Sequence, residues 1–138
     1  MKFEDFINKG QVRKTSVDLN LVRSIKKNIM NDLKYLEEQK ISIISARKIV
    51  VNYYDSLRSI LEAIAICKGY KVYQHEAFLY FLKSIDENVY SIKFDRFRKI
   101  RNRINYYGED ISIEQAKAVS EDMKSMTYKL IDKYLNEV

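Results

Sequence analysis

No proline occurs anywhere in the 138 residues and only three glycines do, while apolar residues recur at spacings of three and four along most of the chain. Proline ends helices and glycine loosens them, so a chain almost free of both, patterned at the helical period, has little option beyond long helices joined by short turns. Alternation with a period of two is sustained nowhere, and no sheet is expected. The fold class this predicts is all-α, an up-down antiparallel bundle of four main helices, with residues 2–8 either a short fifth helix at the N-terminus or frayed. No Gly/Ser-rich or single-charge stretch interrupts the pattern, so residues 1–138 are expected to form one domain.

The individual helices carry start and stop signals. Ser16 or Asp18 is placed to cap a first helix with a stripe of Val22, Ile25, Ile29, Leu33 and Leu36, running to about Gln39. Ser42 or Ser45 opens a second and longest helix, from about Ile43 to Lys68, whose LEAIAIC segment is apolar nearly all round and therefore central; Gly69 suits a left-handed helix end. A third helix is read over about Gln74 to Ser84, with Ala77, Phe78, Phe81 and Leu82 inward. Ser112 followed by Gln115 makes a capping box for a last helix with Ala116, Val119, Met123, Met126, Leu130 and Tyr134 on one face.

No run of 18 apolar residues is present, and MKFEDFINKG lacks the apolar stretch of a signal peptide, so neither membrane association nor export is expected and a cytoplasmic location is. One cysteine, Cys67, and one histidine, His75, allow neither an internal disulfide nor a His/Cys metal site within the chain. No metal and no cofactor is expected.

Function points to the stretch FDRFRKIRNRINYYG. Lys93, Arg96, Arg98, Lys99, Arg101 and Arg103 stand against Asp95 alone, a net +5 in a chain whose total is +6. Phe94, Phe97, Ile100 (or Arg101) and Ile104 keep helical spacing through the same stretch, so the cations are displayed on a packed helix. Arg98, Arg101 and Asn105 fall on one line at helical pitch, with Asn102 and Tyr106 beside it. This strip favours a polyanionic partner, RNA or a nucleotide. The alternative is a solvated basic face.

Paired tyrosines, Tyr53 and Tyr54, precede the apolar half-helix LEAIAICKG; His75 follows shortly; and the basic helix ends in Arg101-Asn102-Arg103-Ile104-Asn105-Tyr106. In this order the features resemble the HEPN domain, a small helical domain of prokaryotic toxin–antitoxin systems and of minimal nucleotidyltransferase partners. The resemblance covers about residues 43–136. It implies a homodimer, with a nucleotidyltransferase as a further partner. Ribonuclease-active members carry Arg-Asn-x-x-x-His, which Arg101 and Asn102 open but which here closes on Tyr106. A tyrosine modified in members paired with a nucleotidyltransferase would fall at Gly108.

The departure at Tyr106 has a chemical consequence. Cleavage of RNA through its 2′-hydroxyl needs a group exchanging protons near neutrality, and a phenol with pKa ~10 replaces imidazole at ~6.5 poorly. The expected function is thus an RNA- or nucleotide-binding domain, non-catalytic or weakly catalytic, with Arg98, Arg101, Asn102, Asn105, Tyr106 and Tyr107 as contact residues. Arg98 and Arg101 would hold phosphates; Asn105 would read a base or cap the helix; Tyr106 and Tyr107 would stack on bases or pack on the bundle. His75 is read as a helix-start residue bonded to backbone, with a general base as the alternative. Arg58 and Glu62 make an ordinary i,i+4 pair. The rival readings are a metal-independent endoribonuclease using Arg101 with Tyr106 or His75, and a protein-interaction bundle with an acidic partner.

Overall fold

The Asp18 carboxylate accepts a hydrogen bond from the Leu21 backbone amide at 3.0 Å and starts a long helix as a side-chain cap. In the computed structural model, which describes residues 1–138, the elements run α1 (Phe3–Asn8), β1 (Val12–Lys14), α2 (Leu19–Glu37), α3 (Ala46–Cys67), β2 (Tyr70–Val72), α4 (Ala77–Ser84), α5 (Asn88–Tyr107) and α6 (Ile113–Tyr134). Helices take up 70% of the chain and strands 4%, so the class is all-α.

The four long helices alternate in direction. Lys26 in α2 reaches the Leu135 carbonyl just beyond α6, while Glu37 at the other end of α2 accepts from Tyr128, so α2 and α6 are antiparallel. Arg96 pairs with Asp122 and Arg103 with Glu109, which makes α5 antiparallel to α6 as well. Arg47 pairs with Asp110 and Lys68 lies over the Tyr134 ring, so α3 runs with α6. Helix α3 is the spine: Ile49, Val50, Tyr54, Leu57, Ile60, Leu61 and Ile64 are all buried, and it packs most extensively against α2 and α6. The stripe of α6 is buried from Ala116 to Leu130, and its capping box forms as read from the sequence, with Gln115 N–H donating to Ser112 Oγ at 3.1 Å.

Three expectations need correction. The first concerns sheet: β1 and β2 form an antiparallel ribbon in which Val12 faces Val72, Arg13 faces Lys71 and Lys14 faces Tyr70. Glycines with positive φ, Gly10 at 75° and Gly69 at 87°, turn the chain just ahead of the strands, and burial of Val12 and Val72 holds the ribbon to the bundle. The second is the start of α3, at Ala46 rather than Ile43. Ser42 N–H donates to Ser45 Oγ at 2.8 Å and Ser45 N–H to Ser42 Oγ at 3.2 Å, a reciprocal turn that competes with helix and leaves Ile43 and Ile44 exposed. The third is α4, which starts at Ala77; Gln74 to Glu76 form a turn before it, with Phe78 N–H donating to the His75 carbonyl.

Candidate phosphate-binding site

The basic helix α5 is anchored by Phe94 and Phe97, both fully buried, with Ile104 buried and Ile100 half-buried a turn or two further on. Tyr54 of α3, itself fully buried, stacks on Phe94 with ring centroids 5.5 Å apart and planes 18° from parallel, while Phe78 of α4 meets Phe94 edge-on at 6.0 Å. This aromatic cluster fixes where the polar tips point. The Tyr54 hydroxyl lies 3.1 Å from His75 Nδ1, so the turn ahead of α4 is tied to the central helix through a side chain.

Burial raises the Tyr54 pKa to about 12, against the lowering pull of Arg101, Arg58 and Arg98, and the phenol stays protonated. His75 is displaced the other way, to about 4, first by burial and then by the positive fields of Arg58, Arg101 and Arg98. At neutral pH the imidazole is uncharged. A neutral ring joins the Tyr54 hydroxyl in either tautomer: Tyr54 donates to Nδ1 when Nε2 carries the proton, and accepts from Nδ1–H when it does not. His75 thus sits in the turn at the start of α4 with its carbonyl accepting from Phe78 N–H, as expected, but its ring is held by the Tyr54 side chain and not by backbone.

Six cations on α5 divide among different partners. Lys93 and Arg96 turn toward α6 and share Asp122; Arg103 pairs with Glu109 at 3.4 Å; Arg98 and Lys99 share Asp95 at 3.0 and 3.1 Å. Arg101 is the one arginine of α5 without a carboxylate partner. Its guanidinium carbon lies 5.6 Å from the Tyr54 ring centroid and 5.5 Å from that of Tyr106, and Nη1 donates to the Tyr106 hydroxyl at 3.2 Å and to Asn102 Oδ1 at 3.4 Å. The Nε atoms of Arg98 and Arg101 and Oε1 of Gln74 are buried without a hydrogen-bond partner, donors and an acceptor already stripped of water. Arg58 pairs with Glu62 at 3.2 Å as expected, and its field also reaches His75.

The structure therefore brings Arg101, Asn102 and Tyr106 into contact and adds Tyr54 and His75 to them, with the charges of Arg58 and Arg98 acting on the same ring. It leaves others apart. Asn105 is exposed and does not cap the helix, since that end is closed by Gly108 at φ 63°, whose N–H donates to the Arg103 carbonyl. Tyr106 and Tyr107 are 69% and 78% exposed, so neither packs under the bundle. A groove of about 630 Å³ between α5 and α6, lined by Arg96, Ile100, Arg103, Ile104 and Val119 among others, includes none of the residues around His75.

Chemically, the fields of three guanidinium groups act on one neutral ring; Arg58 and Arg98 are each paired with a carboxylate, and Arg101 alone is not. A phosphate there would meet the planar, bidentate donors of Arg101, and a further donor at Nε2 in the tautomer that carries its proton there. A base with pKa about 4 is nearly always free to accept a proton at neutral pH but accepts it weakly. Comparison with protein-family models, with characterised proteins and with solved structures gives no match to this chain.

Proposed function

We propose that the protein is a HEPN-like helical domain that binds RNA or a nucleotide by its phosphate groups, without cleaving it or cleaving it slowly. The observation that carries this reading is Arg101, free of any carboxylate, set over the Tyr54 ring whose hydroxyl holds His75, with the fields of Arg58 and Arg98 acting on the same imidazole. Arg101 takes a phosphate, Arg98 a second oxygen or the neighbouring phosphate, and Tyr106 keeps the Arg101 fork in place while its exposed ring meets a base. Tyr106 stands where active relatives of the proposed kind keep a histidine, and its phenol is not a proton shuttle near neutrality. The homodimer and the nucleotidyltransferase partner belong to the same proposal because they follow from the resemblance; the cytoplasmic location is proposed with them from the lack of an apolar run in the sequence. No helix of the structure is long and apolar enough to cross a membrane.

The test is binding of single-stranded RNA across a salt series, beside a search for products ending in 2′,3′-cyclic phosphate. Affinity should fall steeply with salt, and Arg101→Ala should lower the slope of log K against log salt by about 0.7, one phosphate contact. A slope unchanged by Arg101→Ala would remove the reading. Rapid cleavage lost in that variant would establish the endoribonuclease instead.

A further inference from the structure

The ribbon delivers the chain directly into the candidate site, and its outward face is unusual. Val12 and Val72 point into the bundle, so by the alternation of a strand Arg13 and Lys71 point out, and Tyr73, two residues beyond Lys71, lies on the same face. The register sets Arg13 directly opposite Lys71. Like charges facing each other across a ribbon are destabilising, and neither is paired with a carboxylate. Both approach the Tyr73 ring instead, Arg13 at 5.5 Å and Lys71 at 5.7 Å from its centroid, and that ring is 55% exposed. Tyr73 is one residue removed from Gln74 and two from His75, at most ~7 Å along the backbone between the Cα atoms of Tyr73 and His75.

We infer that Tyr73, with Arg13 and Lys71, is a second binding subsite, a base-stacking platform beside the arginine cluster, and that the ligand is a single-stranded nucleic acid of two or more nucleotides. The inference rests on the phosphate reading of the cluster and extends it. A mononucleotide or inorganic phosphate engages the arginines alone. A strand places one phosphate at Arg101 and lays a neighbouring base on the Tyr73 ring or the Arg13 guanidinium plane, with its own phosphate between Arg13 and Lys71. The phosphate removes the cross-strand repulsion, and the base uses an aromatic surface that an ordinary solvated basic face does not need. Stacking tolerates every base, so the platform adds affinity with little sequence preference.

The experiment measures fluorescence anisotropy of a labelled single-stranded RNA of about ten nucleotides, with inorganic polyphosphate and AMP as competitors, for the wild type and for Tyr73→Ala, Tyr73→Phe, Lys71→Gln and Arg101→Ala. Tyr73→Ala should weaken RNA binding about 5- to 150-fold, the worth of one stacked base, with an unchanged salt slope and unchanged competition by polyphosphate. Tyr73→Phe keeps the ring and should bind as the wild type does. Lys71→Gln should lower the salt slope by about 0.7. Wild-type RNA affinity in Tyr73→Ala, with binding weakened in Arg101→Ala, overturns the platform and leaves the cluster standing. Equal loss for RNA and polyphosphate in Tyr73→Ala overturns stacking as the cause. RNA and polyphosphate binding both unaffected by Arg101→Ala would mean the cluster reading itself has failed. Should Tyr73→Ala lose its helical circular dichroism, Tyr73→Phe and Lys71→Gln decide: a wild-type slope in Lys71→Gln overturns the platform.

Discussion

Replacing Arg101 by alanine should change the titration of His75, a consequence that requires no ligand. The Arg101 guanidinium carbon is 5.6 Å from the Tyr54 ring centroid and the imidazole centroid is 5.9 Å from the same point, so the two groups lie within 11.5 Å of each other. At that separation a unit charge is worth ~0.4–1.4 kcal/mol for an effective dielectric of ~80 down to ~20. Removing it should raise the His75 pKa by ~0.3–1. The starting value is about 4, with burial the first cause and the fields of Arg58, Arg101 and Arg98 after it, so the variant should titrate at about 4.3–5 and stay well below an exposed histidine. Arg101→Lys keeps a charge and should move the midpoint less. His75 is the only histidine, so its ring signals in a heteronuclear NMR titration are unambiguous. A midpoint identical in Arg101→Ala and wild type would refute the coupling between the guanidinium and the ring. A wild-type midpoint near 6.5 would refute the buried cluster as a whole.

The same depressed pKa predicts a pH dependence of stability. The unfolded chain takes a proton on His75 near 6.5 and the folded chain only near 4, so stability should be lost as pH falls through that window and be unaffected by this group above it. The gap corresponds to ~3.4 kcal/mol in full, and screening of the half-buried ring reduces it to ~1–2 kcal/mol; urea unfolding at pH 7 and 4.5, with His75→Gln as the reference, measures it. Phe94→Ala should cost ~3–5 kcal/mol in the same assay, because its fully buried ring supports both Tyr54 and Phe78. Ser112→Ala removes the hydroxyl that accepts from Gln115 N–H and should cost ~1 kcal/mol without altering RNA affinity.

Helices α2 and α6 were legible because their signals are local. Asp18, and the Ser112 and Gln115 pair, act within one turn, and stripes such as Val119, Met123, Met126 and Leu130 repeat often enough to be read. The ribbon was not, since strands of three residues carry no recognisable period and the partner of Val12 is Val72, far along the chain. The site divides along the same boundary. Arg101, Asn102 and Tyr106 touch one another as helical pitch places them, because a single helix holds them. Tyr54 and His75 meet only through packing of α3 against the segment before α4, which no spacing announces. One local sign was available and missed: Asp95 stands three residues before Arg98 and four before Lys99, the spacing of helix ion pairs, so these two cations were partly neutralised from the outset.

The ribbon also ties the site to a long-range closure. Its pairing closes a loop containing all of α2 and α3, and loop closure on that scale costs about 3–4 kcal/mol of chain entropy before any contact repays it. Local helices form without that closure, and an antiparallel α2–α3 pair lowers its cost by bringing β1 and β2 to the same end. Tyr73 and the turn holding His75 emerge from β2, and Tyr73 N–H is tied across to the Gln11 carbonyl at 2.9 Å. The Tyr54–His75 contact therefore depends on long-range closure, and a partly folded chain with its helices in place but the ribbon open would present the Arg101, Asn102 and Tyr106 strip of α5 without the ring that completes the site.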